Sequence, residues 1–374
     1  MRNAAPACGP TKMALDDPPA VYSTLPTIEL NGMNYPFISP NIVAVRMEES
    51  LGGLSSLELS VIDWVTRGDS PAGHGSDAGS PLALGAGLRV FMGPAAVLAG
   101  EIFDGQVTAI ECETRAAEPP LITVVAEDRL FSARRKRRSR LFENKPVEAI
   151  VRAIAEDHRL IPELREGLPT FTATWVQRDE TDLGFLRRVL EAVDGDVQIV
   201  GNRMQVGKIA LNRRSAVTLS AGATLEAVRI TADLADQVTA SRVASHDPQR
   251  GEAVKGVAKT RGNGPGGGDT GCDVLGRKFA AVASLNGRHG PMARAEAEVR
   301  AQAEYDRRAR AFVRACGTAI GDAQIRVGTW LKIEGVNPQF ANDYAVVQCV
   351  HRYEPEHGYR TDFIAECAYL GKAA

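Results

Sequence analysis

The sequence predicts a mainly β protein in which a lobe of mixed α and β structure lies between two β regions. In residues 21–128, and again from residue 216 onwards, short β-branched and apolar runs alternate with turns rich in Gly, Pro and Asp. Many short strands with this spacing are typical of a sandwich or barrel. Between the two regions, Pro146 and Thr181 each precede apolar residues at helical spacing, which predicts two amphipathic helices.

The length and composition of the chain indicate a globular protein of more than one domain. The chain has 374 residues, of which 44% are hydrophobic and 24% charged, and its formal net charge is −2. A single core rarely grows beyond about 250–300 residues, so two or more domains are expected. The small net charge gives no overall attraction to nucleic acid or to acidic membranes.

We expect neither a membrane span nor a signal peptide. The most apolar window, 81–103, is interrupted by Arg89 and Glu101 and is rich in Gly and Pro. The first residues contain no apolar segment of the signal type, which favours synthesis in the cytoplasm. The six cysteines lie far apart in sequence and predict free structural thiols.

The first β region is predicted to hold six strands. Leu57, Leu59 and Val61 alternate with polar residues, so one face of that strand should be buried. Gly105 interrupts the longest run and indicates a bulge or a close approach of two backbones. The predicted strands are Ile28–Leu30, Asn41–Met47, Leu57–Val61, Leu88–Met92, Ile102–Ile110 and Leu121–Ala126.

The lobe is centred on the stretch from Thr174 to Gly207. Thr181 is a predicted N-cap with Asp182 in the first turn, where the positive end of the helix dipole favours an acidic side chain. A hairpin of 196–200 and 203–206 should cover the apolar face of this helix. That face consists of Leu183, Leu186, Leu190 and Val193, with Arg187, Arg188 and Glu191 on the opposite side. The helix that Pro146 opens has its own apolar stripe at Val147, Ile150, Val151 and Ile154.

The second β region is interrupted by a glycine-rich segment and a helix. Arg261–Gly271 is so rich in Gly that it predicts a flexible loop. Residues from Pro291 to about Arg314 favour a long helix that stops near Gly317, with Ala295, Val299, Gln302, Tyr305 and Ala309 on one face. The predicted strands of this region are Ala216–Leu219, Leu225–Ala232, Gln237–Ser245, Ile325–Ile333, Tyr344–Tyr353 and Tyr359–Tyr369.

The central stretch resembles the Q-x-x-E-T-D-x-x-F-L-x-R signature of the phage late control protein D family. That family includes baseplate hub proteins of contractile tails and the N-terminal part of VgrG spike proteins. Residues 102–110 resemble a strand of the family's first barrel, and the closing strands are similar to its final motif, which also includes Gly328, Phe340 and Val346. The residues assigned to a structural signature are Gln177, Glu180, Thr181, Asp182, Phe185, Leu186, Arg188, Gly195, Tyr344, His351, Tyr359, Thr361 and Phe363.

The resemblance implies a structural role in a phage tail or contractile injection particle. Two related tube-type β-barrels with an inserted α/β lobe would form a homotrimeric ring of pseudo-sixfold symmetry that adapts a hexameric inner tube to a trimeric spike. The implied partners are the inner tube protein, baseplate wedge proteins and a spike protein. Because no oligonucleotide-fold or β-helix segment follows before Ala374, we expect the spike to be a separate protein.

Composition and resemblance together predict six segments. They are a disordered tail at 1–20, a first barrel at 21–128, the α/β lobe at 129–215, the first part of a second barrel at 216–260, a glycine-rich loop and long helix at 261–317, and closing strands at 318–374.

We expect no catalytic site, no cofactor and no metal. The six histidines have no zinc spacing, and Asp194-Gly195-Asp196 lacks the Gly and Glu of a calcium loop. His74, Ser76 and Asp77 are neighbours in one loop, where a base and its orienting group cannot easily meet a nucleophile.

Two alternative functions stay open at this point. One is a tail-associated enzyme that degrades the cell wall. The other is a nucleic-acid-binding module built on Arg134–Arg140, the only dense basic run in the chain. No aromatic residues are interleaved with that run, which favours a solvated segment between domains over a nucleic-acid site.

Overall fold

One sheet of 13 strands runs through most of the chain. The computed structural model describes residues 25–36, 38–65, 73–74, 82–93, 100–116, 118–260, 264–287 and 290–371. Within these ranges the protein contains 25 strands and five α-helices. The mainly β class predicted from the sequence is therefore confirmed.

The first β region forms one end of this sheet. Its strands lie in the order β3-β4-β9-β8-β7-β1-β2, and each is antiparallel to its neighbour. Their bounds are β1 Thr27–Leu30, β2 Met33–Asn34, β3 Ile42–Ser50, β4 Ser56–Ile62, β7 Gly87–Met92, β8 Gly100–Glu113 and β9 Leu121–Glu127, and β5 Trp64–Val65 and β6 Gly73–His74 form a separate pair.

The core of the first β region confirms the predicted alternation. Leu57, Leu59 and Val61 are buried in one apolar cluster. A Cβ atom on Gly105 would lie 2.3 Å from the carbonyl oxygen of Glu127, so the predicted close approach of two backbones is also present.

The second β region forms the other end of the sheet around a separate core. Its strands follow the order β16-β21-β24-β23, and β22 pairs with both β23 and β15. Their bounds are β15 Ala216–Ser220, β16 Leu225–Ala232, β21 Val313–Ile320, β22 Trp330–Glu334, β23 Asp343–Glu354 and β24 Gly358–Cys367.

Strand β23 joins the two β regions. Its residues 343–345 pair with β22, and its residues 348–353 pair with β3 of the first region. A register shift between Val346 and Gln348 in the pairing with β24 falls where β23 passes from one neighbour to the other. The two regions thus share one sheet while each encloses its own apolar cluster.

The lobe has the helices and the hairpin that the sequence predicts. Thr181 is the N-cap of the central helix and accepts a hydrogen bond from the Gly184 amide, while Pro146 is the N-cap of its helix rather than its first residue. The hairpin turns at Gly201, where φ is +59°, and packs on the central helix. The elements are α1 Phe131–Arg135, β10 Arg137–Lys145, α2 Val147–Asp157, β11 Ile161–Leu164, β12 Ala173–Thr181, α3 Asp182–Glu191, β13 Gly195–Val200 and β14 Arg203–Lys208.

A further unit is inserted between β16 and β21. Strands β17 (Ala240–Asp247), β18 (Glu252–Ala258) and β20 (Ala283–Asn286) form a small sheet, which we call the peripheral sheet. Helix α5 (Arg294–Arg310) packs on one face of it. Helix α4 (Gly271–Lys278) precedes β20, and the short strands β19 (Asp269–Thr270) and β25 (Tyr369–Leu370) pair with each other.

The predicted end of the long helix is wrong. Helix α5 ends at Arg310, and Gly317 lies in β21, where a Cβ atom would come within 2.6 Å of the Ala227 carbonyl oxygen and 2.8 Å of the Phe363 ring. This glycine permits close strand packing instead of ending a helix. Ala295 is exposed, whereas Tyr305 and Ala309 are buried as predicted.

The glycine-rich segment is more regular than its composition indicates. Its described part ends in β19, and α4 begins at Gly271 with Thr270 and Asp273 in a capping box. The Asn342 side chain bonds both the amide and the carbonyl of Gly267. The glycines here allow close contact with other backbone, since a Cβ on Gly268 would lie 2.4 Å from the Leu370 carbonyl oxygen.

One more predicted strand differs in the structure, and two further predictions fall outside the described residues. The predicted strand 325–333 is shorter, because residues 325–329 form a turn around Gly328, whose φ is +85°. The tail 1–20 lies outside the described residues, as do Ser76 and Asp77. None of the described helices combines the length and the apolar character needed to cross a membrane.

Leu186 provides a test of the lobe core. Its side chain is fully buried under the hairpin, so Leu186→Ala should lower the free energy of unfolding by about 2–5 kcal/mol. The matched control is Leu141→Ala, because Leu141 is 56% exposed and its truncation should cost less than about 0.5 kcal/mol. Urea denaturation followed by circular dichroism measures both. Equal losses in the two variants would contradict the placement of α3.

Candidate functional site

Asp182 is the centre of the first cluster of signature residues. Its side chain is fully buried and accepts hydrogen bonds from Arg140 at 2.6 Å and from Gln177 at 2.8 Å. His158 Nε2 lies 2.9 Å from its other oxygen. Burial alone would raise the pKa of Asp182, but the hydrogen bonds from Gln177 and His158 and the charges of Arg140 and Arg138 hold the pKa below its usual value. Asp182 is therefore an ionised anchor that ties α3 to β10 and to the end of α2.

The other signature residues of the lobe pack against or bond to neighbouring elements of the lobe. Phe185 is fully buried and stacks on Phe142 with ring centroids 5.5 Å apart. Arg188 pairs with Glu180 at 2.5 Å and donates to the Val176 carbonyl at 2.6 Å. Gly195 opens β13 where a Cβ atom would lie 3.0 Å from the Leu190 side chain. All of these contacts are made within the lobe.

A hydrogen-bonded chain in the lobe has the composition of a catalytic triad. Ser132 Oγ lies 2.8 Å from His158 Nδ1, and His158 Nε2 contacts Asp182. The imidazole is turned around relative to serine hydrolases, where Nε2 faces the nucleophile and Nδ1 the carboxylate. Asp182 is also neutralised by arginine, so it has little capacity to stabilise an imidazolium. The arrangement supports a structural role for His158.

The basic run is largely neutralised by carboxylates. Arg134 pairs with Glu127, and Arg138 and Arg140 both contact Asp157. The run is divided between α1 and the first residues of β10, so its side chains do not form one continuous cationic surface. This geometry favours the sequence-based interpretation of a segment between domains.

The lobe docks on the first β region through main-chain contacts. Arg187 donates to the carbonyl oxygens of Gly52 at 2.7 Å and of Gly53 at 2.6 Å, in the turn between β3 and β4. Asp196 accepts the Gly52 amide at 2.6 Å. A Cβ atom on Gly53 would lie 2.7 Å from Leu130 and 2.9 Å from the Val197 carbonyl oxygen, so only glycine fits this approach.

Glu49 is the centre of a buried charge cluster at the junction of the three parts. It lies on β3 and pairs with Arg326 at 2.5 Å and with Arg214 at 2.9 Å. Arg214 lies at the end of the lobe, and Arg326 belongs to the turn before β22 of the second region. Burial opposes ionisation of Glu49, but the two guanidinium groups outweigh it and lower its pKa to about 2.

The closing signature residues pack beside this cluster. His351 is fully buried, with Nδ1 2.7 Å from the Tyr359 hydroxyl and 3.3 Å from Thr361 Oγ1. Burial, together with the charge of Arg326, lowers the pKa of His351 to about 3, so the ring is neutral. Tyr344 and Phe363 lie in the core of the second region, where the Tyr344 hydroxyl donates to the Phe340 carbonyl at 2.7 Å.

A cavity of about 230 Å³ opens between the lobe and both β regions. Its lining includes Arg214, Arg326, Asp128 and Ser55. Asp128 accepts the Ser55 amide at 2.6 Å, and burial raises its pKa to about 6. No group of three or more His, Cys, Asp or Glu side chains in the described part of the chain is arranged to hold a metal ion.

Sequence reasoning missed the residues of this junction. Glu49 is one of 46 acidic residues, and no local pattern marks it as the partner of arginines far away in the chain. Arg187 was assigned only to the polar face of the helix. The Gly52-Gly53 pair between two strands was the one available signal, because adjacent glycines indicate a turn or a close backbone approach.

The sequence of the chain matches a protein class of tail hubs. The chain belongs to the phage tail baseplate hub (GPD) family, whose sequence model matches residues 48–357. No curated protein sequence is significantly similar to it.

Solved structures share this fold at low sequence identity. The chain is similar to the 43 kDa tail protein of prophage MuSo2 from Shewanella oneidensis, with a TM-score of 0.63, 13% identity and coverage of 91% of this chain and 97% of that chain. It is also similar to the E. coli c3393 protein, a type VI secretion component, with a TM-score of 0.61, 12% identity and coverage of 93% and 79%. A chain of the Francisella PdpA-VgrG complex gives a TM-score of 0.51 at 9% identity, with coverage of 94% and 59%.

Removing the charge of Glu49 tests the junction. Glu49→Gln leaves two buried guanidinium groups without a counter-charge and should cost about 3–5 kcal/mol of unfolding free energy. Glu48→Gln is the matched control, because Glu48 lies next to it on β3 and forms a half-exposed pair with Arg46. That control should cost less than about 1 kcal/mol in the same urea titration. A Glu49 variant as stable as the control would rule out the junction as a stabilising cluster.

The carboxylate of Asp196 should make stability depend on pH. Burial raises its pKa from 3.8 to about 6, so ionisation destabilises the folded state. The stabilisation that the protonated Asp196 gives the folded state is fully present below pH 3.8 and is lost as the pH rises through 6. Between pH 7.5 and pH 5 the natural protein should therefore gain about 1 kcal/mol relative to Asp196→Asn. Urea denaturation of both proteins at the two pH values measures this difference, and a constant difference would refute the assignment.

Proposed function

We propose that the chain is the ring-forming hub that adapts a hexameric inner tube to a trimeric spike. The continuity of the 13-stranded sheet carries this proposal. The sheet joins two separate cores within one chain, so three copies would present six core units to a sixfold partner. The differences between the two units would leave threefold symmetry on the opposite side.

The free ends of the sheet support a head-to-tail ring. Strand β16 ends the sheet on one side and β1 with β2 ends it on the other, and no described strand of the same chain pairs with their outer edges. Exposed edges are prone to pair with another chain. Contact between unlike ends of successive copies is heterologous and closes into a ring if the rotation fits.

In this proposal each β region is a tube-type barrel. The tail, the first barrel and the lobe keep the boundaries predicted from the sequence, and residues 240–310 form an insertion in the second barrel. The signature residues act as a structural frame that holds the lobe and the second region in place. The implied partners are the inner tube protein, wedge proteins and a separate spike, and the particle is a phage tail or a contractile injection system assembled after synthesis in the cytoplasm.

The oligomeric state tests the ring. Light scattering on the purified chain, alone and co-expressed with its spike, should give three times the monomer mass for the hub. Negative-stain electron microscopy of the same sample should show a ring with a central channel. A monomer or dimer in the presence of the spike would refute the proposal.

The proposed hub is not an enzyme. The Ser132, His158 and Asp182 chain supports this view, because its imidazole is reversed and its carboxylate is paired with arginine. Purified protein incubated with peptidoglycan should therefore release no soluble fragments. Dose-dependent release that is lost in Ser132→Ala would favour the enzyme alternative instead.

A further inference from the structure

The peripheral sheet has one covered face and one open face. Val243, Val254 and Ala258 are buried against α5, and a Cβ atom on Gly256 would lie 2.0 Å from the Ala297 carbonyl oxygen. On the opposite face the side chains of β18, Leu285 on β20 and Arg242 on β17 are exposed, whereas Ala240 at the start of β17 is buried. The second face of this sheet therefore has no partner within the described chain.

The open face combines aliphatic and cationic side chains. Leu285 on β20 and Val257 on β18 are both in register with Arg242 on β17, and they are 71% and 49% exposed. Lys255 is in register with Ala244 in the next row. Neither Arg242 nor Lys255 forms an ion pair with a described residue, and no acidic residue of the three strands shares this face. Its charge therefore complements an acidic partner.

The outer edge of β20 is also open. Strand β20 is the end strand of the sheet, and among the described strands it pairs with β17 alone, so no described strand covers its other side. Edge strands are usually blunted by Lys, Pro or a bulge, and β20 has the sequence Ala-Ser-Leu-Asn. Phe279, which is 69% exposed, ends α4 shortly before this strand. Exposed apolar side chains beside an open edge mark an interaction site.

We propose that the peripheral sheet is a docking site for an extended segment of a partner protein that carries apolar and acidic side chains on the same face. The segment would add as a fourth strand beside β20. Its backbone would pair with the open edge. Every second side chain of the segment would lie on the open face, where an apolar side chain would contact Leu285 and an acidic side chain two residues along would reach towards Arg242 one strand further in. This site is separate from the sheet ends β16 and β1 that the proposed ring uses.

Fluorescence anisotropy with the full chain tests the proposal. The probe is a labelled peptide of about eight residues that repeats Val-Thr-Glu-Thr, so that Val and Glu share one face of the strand, and the reference peptide has Lys in place of Glu. The Glu peptide should bind at least about tenfold more tightly than the Lys peptide, and its affinity should fall with added salt. Equal binding of the two peptides would overturn the proposal.

Variants locate the bound peptide. Arg242→Glu and Leu285→Asp change exposed side chains, so both variants should fold normally. Each should lower the affinity for the Glu peptide at least about tenfold. Arg178→Glu and Leu84→Asp are the matched controls, since both residues are exposed in other parts of the chain, and they should leave binding unchanged. Equal weakening by controls and test variants would refute this location.

Hydrogen exchange tests strand addition, and light scattering tests whether a second copy of the chain occupies the face. Peptide binding should slow amide exchange in 283–286 if a strand is added there. Unchanged exchange in that strand would overturn strand addition. If Leu285→Asp instead lowers the mass of the protein measured by light scattering without peptide, a second copy occupies the face and the proposal of an acidic partner is wrong.

Discussion

The arrangement of the three parts depends on the buried ion pairs of Glu49. A carboxylate or a guanidinium group buried alone costs several kcal/mol, so each of these charges requires the others in place. Glu49, Arg214 and Arg326 come from the first β region, the end of the lobe and the second β region. A shift of any one part would leave a buried charge unpaired. The cluster therefore fixes the relative position of two cores that share only one strand pairing.

The carboxylates around this cluster differ in the groups that bind them. Glu49 is held ionised by two arginines, whereas Asp128 and Asp196 are bound mainly by backbone amides and have raised pKa values. The lobe is thus attached to the first β region through a carboxylate with a raised pKa and through the Arg187 guanidinium, whereas Glu49 binds its two arginines as a full charge. Acid weakens the pairing of Glu49 only at low pH, well below the range in which the two aspartates titrate.

A structural hub needs rigid parts and open surfaces, and in this chain the two lie in different places. The side chains of His158, His351 and Asp182 are buried and engaged in hydrogen bonds. Open backbone edges lie at the two ends of the 13-stranded sheet and on the peripheral sheet, and the peripheral sheet also has exposed aliphatic side chains. Such edges suit contacts with other chains.

The sequence by itself determined the elements whose signals are local. The cap at Thr181, the apolar stripe of α3, the Gly201 turn and the strand around Leu59 follow from spacing within a few residues. The tertiary structure alone decided which distant groups meet. Helix α5 ends at Arg310 because the following residues pair with strands on both sides, and Asp182 is an ionised anchor because β10 and α2 bring Arg140 and His158 to it. Such contacts join residues far apart in the chain, and one sequence contains no record of that proximity.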